Sequence, residues 1–247
     1  MFRKIIEFST QEDYHALKED FPIPAVLNIP EWFKKLDHSV DKKTIKGCMP
    51  FLDAISAGYI LKMPQDFSII HNVENDLKEK GYGQYPSLKS CPYLEKTGLN
   101  VNYHNLETHN INQLKNSPLI EKNKNLAFHK ILNPWIIKTP PGYSCLFTPI
   151  FNNQDDRFSP ITGIVDTDSF NAEVNFPIVI NGDKYPVLNT VIKKGTPYVQ
   201  VIPFKRENWE MVTKPISSQK LLLNKIKLHL RHLHNYKNSF WKKKKWK

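Results

Sequence analysis

The sequence predicts a mainly β fold with an N-terminal extension, a polar insertion and a C-terminal amphipathic basic helix. Three observations lead there. Apolar segments are short and bounded by turn residues. The 18 prolines outnumber the 9 glycines, and many of them stand beside apolar runs, which favours short strands with rigid turns over long helices. The hydrophobic period becomes helical only near the C-terminal end. At 247 residues the chain is long enough for one well-buried core with extensions, divided here into 1–50, 51–210 and 211–247.

In the extension, Arg3 to Phe8 reads as a strand, and Pro30 sits where the first turn of a short helix carrying Trp32 and Phe33 would begin. From Phe51 to Ile70 the text reads as two strands, Gly58 to Met63 and Phe67 to Ile70, joined by a Pro-Gln-Asp turn into a hairpin. Residues 71–130 are polar, rich in Asn, Lys and His and weakly periodic, as expected of long loops or an inserted subregion. The β signal returns in Asn133–Phe151, Ile161–Phe170, Ala172–Ile180 and Gly195–Phe204, with Pro-Pro-Gly and Asn-Gly-Asp punctuation. Leu222, Ile226, Leu230 and Leu233 then recur at helical spacing, predicting an amphipathic helix from Ser218 to about Tyr236, with the final eight residues as a loose end.

The formal net charge of +11 is confined to one end. Beyond Glu210 there are 11 cations and no acidic residue, which leaves residues 1–210 with 24 of each sign. No apolar run approaches the roughly 18 residues of a membrane span. The N-terminus meets acidic residues where a signal peptide needs an apolar stretch. The expected location is therefore the cytoplasm. Cys48, Cys91 and Cys145 are odd in number and form no CxxC pair, so neither a disulfide framework nor a thiolate zinc site is indicated.

Three pieces then fall in a recognisable order. Ala57-Gly58-Tyr59, Pro140-Pro141-Gly142-Tyr143 through Thr148-Pro149, and Gly163-Ile164-Val165-Asp166-Thr167-Asp168 resemble the first three motifs of the dUTPase family, and Ile192 to Ile202 resembles the strand that follows. The similarity covers about Phe51 to Ile70 and Asn133 to Phe204. It implies a distorted β-barrel of the β-clip type, a homotrimer, Asp166 as the water-activating carboxylate, and Tyr59, Asp168, Phe170 and Gln200 at the substrate. A buried aspartate at a strand tip suits a general base, and Mg2+ would accompany a nucleotide substrate. The sequence is also similar to a family of proteins found in bacteriophage genomes that share the Pro-Pro-Gly-Tyr, Val-Asp-Thr-Asp and Gln-Val-Ile-Pro-Phe-Lys-Arg-Glu phrases; that resemblance implies no activity.

The chain departs from the dUTPase pattern where phosphate is held. Pro149-Ile150-Phe151 replaces Pro-Arg-Ser, Ile60 replaces the first motif's aspartate, and the glycine-rich closing arm is missing. Guanidinium and hydroxyl donors bind phosphate in a way apolar side chains cannot. Ordinary dUTP hydrolysis is thus not expected unless Arg157, Lys205 or Arg206 substitutes. Two readings remain: a diverged nucleotide-binding or nucleotide-processing protein acting through Asp166 on uridine or a modified deoxynucleotide, or a non-enzymatic structural or regulatory protein.

For the second, the tail supplies the chemistry. Trp241 and Trp246 interleave with Lys242, Lys243, Lys244 and Lys245, a pattern that suits phosphate backbones through counterion release and bases through stacking. It also suits an anionic membrane surface, or a solubilising tail whose tryptophans dock on the protein itself. Asp166 and Asp168 have a bland reading too, as turn carboxylates that accept backbone N–H bonds. His104, Glu107 and His109 are close enough for a metal, but in an Asn-rich loop solvated side chains are the simpler expectation, and no metal site is assigned. His229, His232 and His234 are expected on a polar helix face.

Overall fold

A computed structural model describes residues 4–15, 18–39, 41–72, 89–90, 106–109, 111–119, 128–153, 155–229 and 234–247. The described chain is mainly β. Its strands are β1 (Glu7–Ser9), β2 (Ile23–Pro24), β3 (Tyr59–Lys62), β4 (Phe67–Asn72), β5 (Lys89–Ser90), β6 (Leu106–His109), β7 (Phe128–Ile131), β8 (Ile136–Lys138), β9 (Tyr143–Pro149), β10 (Phe158–Pro160), β11 (Gly163–Val165), β12 (Phe176–Ile180), β13 (Val187–Ile192) and β14 (Pro197–Lys205). The α-helices are α1 (Glu12–His15), α2 (Glu31–Lys35), α3 (Met49–Ser56), α4 (Ser218–His229) and α5 (Asn235–Ser239). None of the described helices is long and apolar enough to cross a membrane.

The strands form antiparallel sheets in the orders β1-β8, β10-β12-β7-β6, β11-β9-β14-β3-β2 and β13-β4-β5. Among the described residues no sheet closes into a barrel, so the expected closed barrel gives way to several open sheets. The chain divides into two compact units. The first, a β unit, comprises Met1–Ile23 and Gly58–Lys205; the second comprises Pro24–Ala57 and Arg206–Lys247.

In the β unit, β14 is the central strand of its sheet, pairing with β9 on one side and β3 on the other. A strand covered on both edges and both faces reads as a continuous buried run rather than as an alternation. Accordingly Tyr198, Val199, Gln200 and Val201 are all buried. Phe176 lies between Phe147 and Tyr198, with ring centroids 5.4 and 5.7 Å away, and Leu61, Phe67, Ile69, Ile131, Trp135 and Ile192 extend the same core.

The strands predicted at Gly58 to Met63 and Phe67 to Ile70 are found as β3 and β4, but they do not make a hairpin with each other. β3 pairs with β14, while β4 pairs with β13 over six consecutive residues, Val187↔Asn72 to Ile192↔Phe67. Two strand–turn–strand corners thus lie side by side and exchange partners. Met63 N–H donates to Thr196 O at 2.8 Å and Gly195 N–H to Met63 O at 2.9 Å, which joins the corners where each chain bends. Asp66, in the first corner, accepts the Lys194 N–H at 2.6 Å and the Lys193 ammonium at 2.9 Å from the second.

Gly58 shows why the Ala-Gly-Tyr phrase needs its glycine. Its φ is +69°, and a Cβ there would lie 1.9 Å from the carbonyl oxygen of Val201. Only glycine adopts this conformation without strain and also permits so close a backbone approach.

The second unit has its own small core. Phe33 stacks on Phe51 at 5.5 Å, with Trp32 edge-on to both, and Ala25, Met49 and Ile55 are buried. Helix α3, absent from the sequence reading, starts with Pro50 in its first turn, a position where the missing N–H costs nothing. The predicted C-terminal helix is found as α4 over the described residues Ser218–His229, but it does not run unbroken to Tyr236: His234, with a left-handed φ of 72°, precedes the separate helix α5 that contains Tyr236.

Candidate functional site

The Asp166–Phe170 segment follows β11, which pairs with β9 from Gly163↔Phe147 to Val165↔Cys145. Asp166 therefore sits one residue past the paired region, on the turn, and is exposed rather than buried. This corrects the expectation of a desolvated general base: a carboxylate beyond the last paired residue is outside the core. Its Oδ1 accepts the Ser144 hydroxyl at 2.6 Å. Its carbonyl receives the N–H groups of Ser169 and Phe170 at 3.1 and 2.9 Å, closing the turn.

Asp168 faces the neighbouring turn. Tyr143 N–H bonds to Pro140 O at 3.2 Å, and Gly142 stands at φ +81°, the arrangement that a proline-led turn with glycine at its third position provides. The Gly142 N–H then donates to Asp168 Oδ2 at 2.8 Å. Beneath them the Thr139 and Thr167 hydroxyls are 2.7 Å apart, and Thr167 reaches the buried Cys145 sulfur at 3.4 Å. Burial pushes the Cys145 thiol up to about 11 despite that hydrogen bond. Both aspartates thus hold two turns together at one end of the β9/β11 ribbon. Phe170, in the same turn region, is 42% exposed.

Gln200 lies elsewhere. It is fully buried in β14, opposite Thr148 on one side and Ile60 on the other. Its amide oxygen accepts the Phe151 N–H at 3.1 Å, so it anchors the Pro149-Ile150-Phe151 turn. Tyr59 pairs with Val201 and packs edge-on against Phe8 at 5.4 Å. In the order β11-β9-β14-β3 it stands three strands from β11, which leads into Asp166, about 14 Å at ordinary strand spacing. The structure therefore gathers Asp166, Asp168 and Phe170 and leaves Gln200 and Tyr59 apart from them within the β unit.

A cleft of about 230 Å³ opens beside the anchored turn, lined by Pro149, Ile150, Asn152, Asn153, Asp155, Asp156, the β10 strand, Pro197 and Tyr198. Asp155 takes a two-pronged bond from Arg157, at 2.8 Å from Nε and 2.7 Å from Nη2, and Arg157 Nη1 donates to Thr190. The guanidinium holds the Asp155 carboxyl below its ordinary range. Asp156 is held low by Lys184 and the Tyr185 hydroxyl. Arg157, one of the candidate substitutes for the missing phosphate arginine, is thus occupied by a carboxylate, and an anion entering the cleft would meet two more negative groups than a phosphate site offers. The sequence reading missed this cleft; the Asn-Asn-Gln-Asp-Asp run at 152–156 is its one visible trace.

The second unit carries the charge. It contains 17 basic and 6 acidic residues, against 18 of each in the β unit. Within it the Trp241 indole N–H reaches both carboxylate oxygens of Asp53 at 3.1 and 2.9 Å, and Lys244 Nζ reaches the same group at 2.5 Å. The final residues are consequently tied to α3, not loose. Lys242, Lys243 and Lys245 are exposed, and Trp246 is half-buried. Tyr236 and Phe240 are 48% and 59% exposed, their rings 6.2 Å apart.

The His38 and His234 rings lie 5.2 Å apart. His104 and His232 fall outside the described residues, as do the side chains of Glu107, His109 and His229; among the described residues no cluster of His, Cys, Asp and Glu has the makings of a metal site. Neither protein-family models nor curated proteins give a match to this chain.

Proposed function

We propose that this is a non-enzymatic nucleic-acid-binding protein, in which a dUTPase-like β-clip domain is the scaffold and the basic unit makes the contact. The carrying observation is the segregation of charge: the whole excess of +11 falls in the unit comprising Pro24–Ala57 and Arg206–Lys247. Asp53 fixes the tail through Trp241 and Lys244, and the lysines on either side stay exposed beside the Tyr236–Phe240 pair. Cations displace counterions from a phosphate backbone, and exposed aromatic faces accept unpaired bases. The engagement of Asp166, Asp168 and Gln200 in holding turns supports a scaffold role for the β domain.

Fluorescence anisotropy with single- and double-stranded oligonucleotides across salt concentrations tests this reading. Replacing Lys242, Lys243 and Lys245 by alanine should lower the slope of log K against log salt by about 2 to 3. An unchanged slope refutes the assignment.

A second reading, a diverged nucleotide-binding protein using Asp166 and Mg2+, draws on the Pro149-Ile150 turn that lines the cleft. Thermal shift with uridine and deoxynucleoside mono-, di- and triphosphates, with and without magnesium, separates the two. A ligand at about 100 times its Kd adds roughly 2.7 kcal/mol, and silence across the series removes the nucleotide reading.

A further inference from the structure

Helix α4 reads Ser-Gln-Lys-Leu-Leu-Leu-Asn-Lys-Ile-Lys-Leu-His. Its start is written into the chain. Ser217 accepts the Lys220 N–H on its hydroxyl at 3.3 Å and the Leu221 N–H on its carbonyl at 3.0 Å, the arrangement of an N-cap. At 12 residues the helix is marginal in water unless an apolar face is packed on something. Yet Leu221, Leu222, Leu223 and Ile226 are 43%, 58%, 52% and 41% exposed. Single exposed apolar residues are ordinary, but a cluster of them on one short helix marks a surface made to be covered.

Helix geometry sorts these residues. At about 100° per residue, Leu222, Ile226 and Leu223 share an arc of about 100°, with Lys225 about 60° beyond one margin and Lys220 about 60° beyond the other. Gln219 is the polar residue inside the arc, and Leu221 lies outside it, past Lys225. A lysine at the margin of an apolar face lays its methylenes along that face and holds its ammonium at the rim. The helix therefore offers hydrocarbon at the centre and cations at both edges, and it contains no acidic residue.

This combination selects among polyanionic partners. A nucleic acid would take the lysines, but aliphatic side chains give its bases no aromatic face to stack on. An acidic groove in a partner protein grips apolar anchors at i, i+3, i+4 and i+7. Counted from Leu222, the third and seventh residues on are Lys225 and His229, and counted from Leu223 the fourth is Lys227, so the ladder of anchors fails. A bilayer surface rich in anionic lipid answers both parts at once, with phosphates for the lysines and the acyl boundary for a shallow apolar arc. From Met211 to Lys247 the chain has no acidic residue to oppose the approach. Trp209, in the same unit, is 87% exposed, and indoles are enriched at the headgroup level of membranes.

We propose that α4 lies flat on anionic bilayers, with Leu222, Leu223 and Ile226 inserted at the acyl boundary and Lys220 and Lys225 against lipid phosphates. The contact goes beyond the nucleic-acid reading and does not rest on it, because its specific element is the apolar arc of α4 rather than the lysines at 242–245.

Co-sedimentation of the full chain with vesicles tests the contact. Binding to phosphatidylcholine vesicles that contain phosphatidylglycerol should exceed binding to phosphatidylcholine alone by about tenfold or more. Leu222→Gln with Ile226→Gln, which leaves every charge in place, should weaken binding to the anionic vesicles about tenfold or more, whereas Leu222→Phe with Ile226→Phe should keep it. Lys220→Gln with Lys225→Gln should weaken it by a similar factor at low salt. Unchanged circular dichroism of each variant without lipid separates a lost contact from a lost fold. A wild-type chain that ignores anionic vesicles overturns the proposal. So does a Leu222→Gln, Ile226→Gln variant that binds like wild type, since charge alone would then explain the attraction. Self-association of the wild type that the same variant abolishes without lipid overturns it too, by giving the face to a second copy.

Discussion

The buried amide oxygen of Gln200 accepts the Phe151 N–H at 3.1 Å, so the central strand of the five-stranded sheet holds the Pro149-Ile150-Phe151 turn. A glutamine used this way stabilises the scaffold. Gln200→Ala should cost about 1 to 3 kcal/mol, from the orphaned N–H and the vacated volume. Urea denaturation measures it, and a cost below about 0.5 kcal/mol would contradict the role.

Gly58→Ala should be far more severe. The added methyl would overlap the Val201 carbonyl at a backbone angle that alanine resists, and neither main chain has room to retreat within the paired β3 and β14 strands. The expected loss is at least about 3 kcal/mol, seen as a collapsed yield or a sharply lowered Tm.

Tyr198→Phe should act in the opposite direction. The Tyr198 hydroxyl is buried and, among the described residues, has no hydrogen-bond partner; burial pushes its ionisation upward. Removing an unsatisfied hydroxyl while keeping the ring recovers its desolvation cost, so stability should rise by up to about 1 to 3 kcal/mol. A lower Tm in the phenylalanine variant would show that the hydroxyl has a partner in solution.

Two carboxylates at the paired corners give opposite pH dependences. Burial, the largest single influence on Asp66, pushes its carboxyl up, but the Lys194 N–H and the Lys193 ammonium together hold it below its ordinary value. Its contribution to stability is present above the unfolded-state pKa of about 3.9 and is lost as pH falls through the lower folded value. For Asp20, 2% exposed, burial outweighs its ion pair with Lys194 at 2.9 Å and raises the carboxyl. That contribution is fully present below the unfolded-state value and fades as pH rises through the folded one. Asp66→Asn should flatten the acid limb of the urea midpoint plotted against pH, and Asp20→Asn should flatten the decline above it. Superimposable curves for Asp66→Asn and wild type would refute the first assignment.

These residues also show how far the sequence could be read. β9, β11, β12 and β14 fall inside the segments marked by alternation and by Pro-Gly punctuation, because a strand's own side chains write that pattern. Partnering is a different matter. Residues 59–62 and 67–72 alternate equally well whichever strand lies beside them, and adjacency in sequence suggested a hairpin that the β13–β14 corner instead takes apart. Asp166 was legible as a turn residue following a strand, but its exposure depends on where pairing with β9 stops. The break at His234 requires a left-handed non-glycine residue, which helical periodicity does not register. The excess charge at the C-terminal end was plain in the residue count; the Asp53 anchor that binds part of it lies 188 positions away from Trp241.

The second unit draws its halves from either side of the β unit in sequence, residues 24–57 before it and 206–247 after it. During ribosomal synthesis the early half must wait for nearly the whole chain to emerge before Asp53 can meet Trp241. A ribosome that stalls after β14 would therefore hold a nascent chain with every described strand already synthesised and Asp53 still lacking Trp241 and Lys244, a species suited to chaperone capture.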